Sequence, residues 1–243
     1  MKTGLVDAPV RRATGPPMTT VEPLDTSVGV YRQLRDAITS GRFQPNERLV
    51  EADLAGLLGA GRTSIRAALV RLDQEGLVTR EPNRGARVRL VSDKEALEIE
   101  EVRVVLEQLV ARHAAEHATP ADLRELRKML VEMRRRVARA DPLGYSELNA
   151  QFHQRIWEIA DHQTASRLLA NLKSQSIRFQ YRTILRPGRT ERSLREHEAI
   201  VEALAAHDPS GAESAMRTHL SQVVETLRWA IDAHQRQPGW LLR

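Results

Sequence analysis

LAGLLGAGRTSIRAALVRLDQEGLV, residues 54–78, reads as a short helix, a glycine-containing turn, a second helix and the start of a strand. Ile65, Ala68, Leu69 and Leu72 recur at helical spacing and define a face that must be buried. Arg62, Thr63 and Arg66 are left facing outward at the N-terminal end of the second helix. This is the pattern of a DNA-reading helix-turn-helix, because an α-helix fits the major groove and arginine can bond guanine bidentately.

Working outward, GLVTREPNRGARVRL places apolar runs on both sides of Pro82, Asn83, Arg84 and Gly85, the signature of a hairpin turn with a basic tip. Arginines at 80, 84, 87 and 89 suit a wing that touches phosphates or reaches a minor groove. The plainer alternative is a solvated basic hairpin, but the helix-turn-helix and the wing occur in the expected order. From Arg62 to Arg89 seven arginines face only Asp73, Glu75 and Glu81, a local excess of four out of a chain total of +5. Most of the net charge therefore sits where DNA would be touched.

The 243 residues are enough for two domains, and no apolar run approaches the length needed to span a bilayer. With no hydrophobic signal core at the N-terminus, the expected location is the cytoplasm, with no membrane partner. Cysteine is absent, which excludes disulfides and thiolate metal sites and leaves histidine, carboxylates and amides as ligands.

Residues 1–24, with Pro9, Gly15, Pro16, Pro17 and Pro23 and no periodicity, read as a flexible arm. Residues 25–91 form the winged helix-turn-helix: a helix from about Thr26 to Ser40 with Val30, Leu34 and Ile38 on one face, then a short helix over 50–58 with Leu54, Leu57 and Leu58 turned inward. Ser92 and Glu95 have capping-box spacing, so a long helix is expected from near Asp93 to about His117. Thr119 with Pro120, and Asp141 with Pro142, start further helices. Helical patterns continue over about 164–185, 190–207 and 209–236, and no strand pattern follows Arg89. The fold class is mainly α: a winged helix, then an all-helical bundle over 92–236 and a tail over 237–243.

Three of the eight histidines fall on apolar stripes. His197 shares a face with Leu194, Val201 and Leu204; His219 neighbours Met216 and Val223; His153 lies with Ile156 and Trp157, one turn after Asn149. These could form a metal shell with open positions, but spacing alone cannot assemble ligands from three separate helices. The simpler reading is isolated core histidines, each bonded to a backbone carbonyl or to an acid such as Glu196. Arg103, between Ile99, Leu106 and Val110, is a second misplaced polar residue that demands an anion, and Glu107 at i+4 is the local one available.

GRFQPNERLVEADLAGLLGAGRTSIRAALVRL followed by EGLV and RGARV resembles the winged-helix domain of GntR-family bacterial transcription regulators. EVRVVLEQLVARHAA, NAQFH, EHEAIVEAL and HDPSGAESAMRTHL resemble the helical ligand-binding (FCD) domain of its FadR subfamily. The resemblance runs from Thr26 to about Ala233, with Gly61, Ser64 and Ala67 departing from the usual recognition-helix residues. It implies a repressor that binds an operator as a homodimer through Arg62, Thr63, Arg66, Arg84 and Gly85, and it implies no catalysis. It further implies that Asn149, His153, His197 and His219 bind a divalent metal, zinc or nickel before others, and that Arg103 meets the carboxylate of a small effector. Asn149, where Asp is usual, removes one negative charge from that shell. His113, His117, His162, His207 and His234 match no ligand position and are expected to be exposed or near helix ends. The rivals are a metal-dependent hydrolase, for which Glu196 is the sole suggested base, and an architectural DNA-binding protein without an effector.

Overall fold

The computed structural model describes residues 27–81, 84–184 and 186–235. The expected N-terminal arm and C-terminal tail, and Pro82 and Asn83 of the hairpin tip, lie outside the described residues. Six elements come first: α1 (Ser27–Thr39), β1 (Arg48–Leu49), α2 (Glu51–Leu58), α3 (Arg62–Gln74), β2 (Val78–Glu81) and β3 (Gly85–Val88). Six helices follow: α4 (Asp93–His117), α5 (Pro120–Ala138), α6 (Pro142–Ala160), α7 (Gln163–Ile184), α8 (Arg189–Ala205) and α9 (Pro209–Gln235).

The starts of α4, α5 and α6 follow from local capping chemistry. The Thr119 hydroxyl accepts from the Asp122 backbone N–H while the Asp122 carboxylate accepts from Thr119, a complete capping box with Pro120 behind it. Asp141 accepts from Gly144 N–H at 2.9 Å to start α6. Ser92 likewise caps α4 through the Glu95 N–H, but the Glu95 side chain turns to Arg89 instead of closing the box.

One core gathers Val30, Leu34 and Ile38 of α1 with Leu54, Ile65, Leu69, Leu72, Val78 and Val88; a second fills the bundle around Val110, Leu126, Phe152, Ile156, Ile200 and Met216. The face foreseen for α3 is the buried one. Leu57 is not: it is 55% exposed, because an eight-residue helix turns only Leu54 fully inward. The sheet is antiparallel in the order β1-β3-β2. β1 was not expected from sequence, because its two residues carry no periodicity of their own and pair with Arg87 and Ala86 far along the chain.

Gly85 starts β3 at φ +88°, where a Cβ would stand 2.3 Å from the Leu49 carbonyl oxygen. That close approach lets β1 pair with β3 beside the hairpin. Replacing Gly85 by Ala is expected to destabilise the winged helix by about 1–3 kcal/mol through strain and steric conflict, read as a lower denaturant midpoint; an unchanged midpoint would show that the wing is not pinned here.

Candidate functional site

Two sites emerge, one at each end of the chain. At the first, α2 ends on Gly59 in the left-handed region and Gly61 precedes α3 with no side-chain cap, so the N-terminal N–H groups of α3 are left without a protein side chain to bond. Arg62 and Thr63 are exposed there. Arg66 is exposed as well, and its guanidinium lies on Glu51, with N···O distances of 2.9 and 3.2 Å. Arg48, Arg62, Arg66, Arg80 and Arg84 line one concave surface between the recognition helix and the wing. Arg48 was not legible as a member, because its place depends on β1; it donates to the Arg84 carbonyl at 3.3 Å.

Two wing arginines behave differently from the sequence expectation. Arg87 donates to Glu81 and to the Asn46 carbonyl, which ties it to the hairpin itself. Arg89 turns away from the wing, donating to the Gly76 carbonyl, to Gln175 of α7 at 3.1 Å and to Glu95. The chain is already approaching the bundle at Arg89, so its side chain serves the junction.

The second site lies inside the bundle. His153 on α6, His197 on α8 and His219 on α9 are all buried, and their ligand-type nitrogens lie within 4.8 Å of one another. Each ring is oriented through Nδ1. His153 Nδ1 is 3.1 Å from Glu107, His219 Nδ1 is 2.7 Å from Glu196, and His197 Nδ1 is 3.4 Å from the Tyr145 hydroxyl. Nε2 of each ring is thereby left uncommitted among the described residues. Burial, and then the neighbouring imidazoles, push His197 and His219 far below the usual histidine range, so both are neutral, the form a metal requires. Among the described residues of this site, three buried atoms have no partner: the His197 Nε2, the Asn149 Oδ1 and the Arg103 Nε. Such orphans are costly unless something absent satisfies them, and an imidazole nitrogen with an amide oxygen is a donor set for a divalent cation. The residues fit a metal: the three expected histidines converge, and Asn149 lines the same cavity as His153 and His219.

Behind the histidines stand two charge networks. Glu107, fully buried, accepts from His153, from the Trp157 indole at 2.9 Å and from Arg103 at 3.0 Å. Burial opposes its charge, yet His153, Arg103 and Trp157 hold it well below the usual carboxylate range. Arg103 also bonds both oxygens of Glu100, at 2.8 and 2.9 Å. The local partner foreseen at i+4 is therefore real, and a second acid joins it. On the other side Glu196 accepts from His219 and from Arg189, the latter at 3.0 Å. Arg189 is a participant that sequence reasoning missed, since it precedes α8's apolar stripe. Of the remaining histidines, His117 and His207 bond the Ala160 and Ala115 carbonyls near helix ends, and His113 packs on His162.

Residues 26–88 match the bacterial regulatory proteins of the gntR family, and residues 98–222 match the FCD domain. The chain belongs to the GntR family. It is thus a DNA-binding transcription regulator carrying an FCD domain, and not an enzyme. It is 31% identical to the HTH-type transcriptional repressor RspR of Escherichia coli over 82% of this chain and 87% of that one. It is 29% identical to the Nta operon transcriptional regulator of Aminobacter aminovorans over 79% and 91%. The solved structure of E. coli McbR/YncC superposes with a TM-score of 0.71 over 84% of this chain and 97% of that one at 22% identity, which shows the shared fold. Among the described residues no helix is long and apolar enough to cross a membrane.

Removing the Glu107 carboxylate would leave Arg103, His153 and Trp157 without their shared acceptor. Glu107→Ala is therefore expected to cost about 3–5 kcal/mol, the range for breaking a buried ion pair from one side, read by urea denaturation. A loss below about 1 kcal/mol, the scale of an exposed pair, would contradict the network.

Proposed function

We propose that this regulator is a homodimeric repressor of the FadR type, whose hold on its operator is controlled by a small carboxylate bound at a metal-containing site in the helical domain. The observation that carries the reading is a cluster of three buried histidines beside a cavity lined by Asn149, whose oxygen is unpartnered, and by Arg103, on a chain that also presents a basic recognition helix. Asn149, His153, His197 and His219 would hold the ion. When bound, it supplies positive charge with open coordination positions, which attract an acid. Zinc and nickel suit imidazole-rich shells. The hydrolase alternative lacks a base, because Glu196 is committed to His219 and Arg189.

Support for the dimer comes from α4, where Val102, Val105 and Leu109 lie at i, i+3 and i+7 and remain exposed, a stripe that a second copy would cover. Two copies also double the DNA site read. The protein's place would be the cytoplasm, where its operator is.

Two experiments test the reading. At the DNA end, Arg66→Ala is expected to cost about 1–3 kcal/mol and to relax specificity at one base pair per half-site. Arg84→Ala should instead weaken all sequences alike and flatten the salt dependence. Unchanged affinity of Arg66→Ala for a selected operator would remove Arg66 from the interface. At the other end, elemental analysis of purified protein should find a divalent ion, chelation should lower the thermal midpoint, and His197→Ala and His219→Ala should each lose the ion. No ion in native protein and no uptake on addition would return the histidines to a packing role.

A further inference from the structure

Among the described residues three cations line the histidine cavity: Arg103, Arg189 and Lys173. Arg103 is held by Glu100 and Glu107, and Arg189 by Glu196. Lys173 of α7 has no carboxylate partner among the described residues. Its ammonium donates to the Ala150 carbonyl at 3.2 Å and lies 5.4 Å from the centre of the Trp157 ring. A partly buried ammonium without an acid is an anion-binding group held in waiting. Burial, and then the nearby Arg103, lower it to about 8, so it stays mainly charged at neutral pH.

The charge balance around the cavity points the same way. Three carboxylates, Glu100, Glu107 and Glu196, stand beside Arg103 and Arg189, and Lys173 adds a cation with no ion-paired acid among the described residues. A divalent ion held by the histidines would add positive charge to that set in a low-dielectric interior, and a dianion would offset it better than a monoanion. The cavity is small, about 60 Å³, which restricts the occupant to a short molecule.

Lys173 also lines a second space, the cleft of about 610 Å³ that lies between α1 and the bundle. Its neighbours on α7 grip the winged helix. Ser174 takes the Arg35 guanidinium of α1, and Gln175 donates to the Glu75 carbonyl at 2.8 Å and accepts from Arg89. Gly76 comes so close that an added Cβ would stand 2.9 Å from the Gln175 amide nitrogen.

We propose that Lys173 is the second anion-binding residue of the cavity, that the effector is accordingly a short dicarboxylate with one acidic group toward the histidine side and the other toward Lys173, and that α7 passes its binding to the winged helix through Ser174 and Gln175. This deepens the effector reading above and rests on it.

The test uses full-length, zinc-loaded protein with malonate and succinate against propionate and butyrate. In wild-type protein the dicarboxylates should bind about tenfold more tightly, the worth of roughly one additional charged contact, seen by calorimetry and by thermal midpoint. Lys173→Met should bind all four acids with similar affinity at unchanged zinc content, while Lys173→Arg keeps the preference; should Lys173→Met fail to fold, Lys173→Gln takes its place in the comparison. A retained dicarboxylate preference without the lysine charge overturns the assignment. If no acid binds wild-type protein, the effector reading itself fails and this inference falls with it, an outcome distinct from binding without preference. Gln175→Ala should bind malonate normally but lose the change in operator affinity that malonate causes; an undiminished change overturns the α7 route.

Discussion

The Glu107 carboxylate is the interaction on which the bundle's interior depends. A charge with no exposure to solvent is tolerated only when strong donors replace the lost water, and Glu107 has three, from α4 itself and from two turns of α6. The same bonds fix the His153 ring, so one buried acid both joins two helices and selects which imidazole nitrogen is free. Glu196 does the corresponding work for His219 from α8 to α9, with Arg189 as its counter-ion. The histidine cluster is thus oriented from opposite sides by two independent acids, and the uncommitted nitrogens meet in the middle.

What could be read from the sequence was whatever is written in neighbouring residues. Ser92, Thr119 with Pro120, and Asp141 with Pro142 mark helix starts because an N-cap satisfies backbone groups two or three residues away. The buried face of α3 was legible for the same reason. The histidines on apolar stripes could be seen, but their convergence could not, since it is decided by how α6, α8 and α9 pack. The family resemblance supplied that grouping, and the geometry then gave it a physical cause in the orphaned Asn149 and His197 atoms.

The failures have the same origin. β1 is a strand only because β3 lies beside it, Leu57 stays exposed because its helix is too short to turn it inward, and Arg89 leaves the wing because Gln175, distant in sequence, waits for it. Arg103 drew attention as a charge among apolar neighbours, whereas Lys173 did not, in a helix rich in polar residues. Their positions in space reverse the emphasis. Arg103 has its acids within a turn on either side, and Lys173 has no ion-paired acid among the described residues.

Under the proposed effector control, the junction between winged helix and bundle is where adjustment would occur. Each half has its own apolar core, and what joins them near α7 is a handful of partly buried polar contacts: Arg35 with Ser174, and Gln175 with Glu75 and Arg89. Such bonds contribute about 0.5–1.5 kcal/mol each, so together they match the few kcal/mol over which ligands commonly shift conformational equilibria. A larger apolar interface would lock the DNA-reading unit to the bundle, and a bare linker would disconnect it. With only Leu90 and Val91 between Arg89 and the Ser92 cap of α4, a rotation of the winged helix would act on the Arg89 bonds, and under the proposed control those bonds lie beside the helix that lines the cavity.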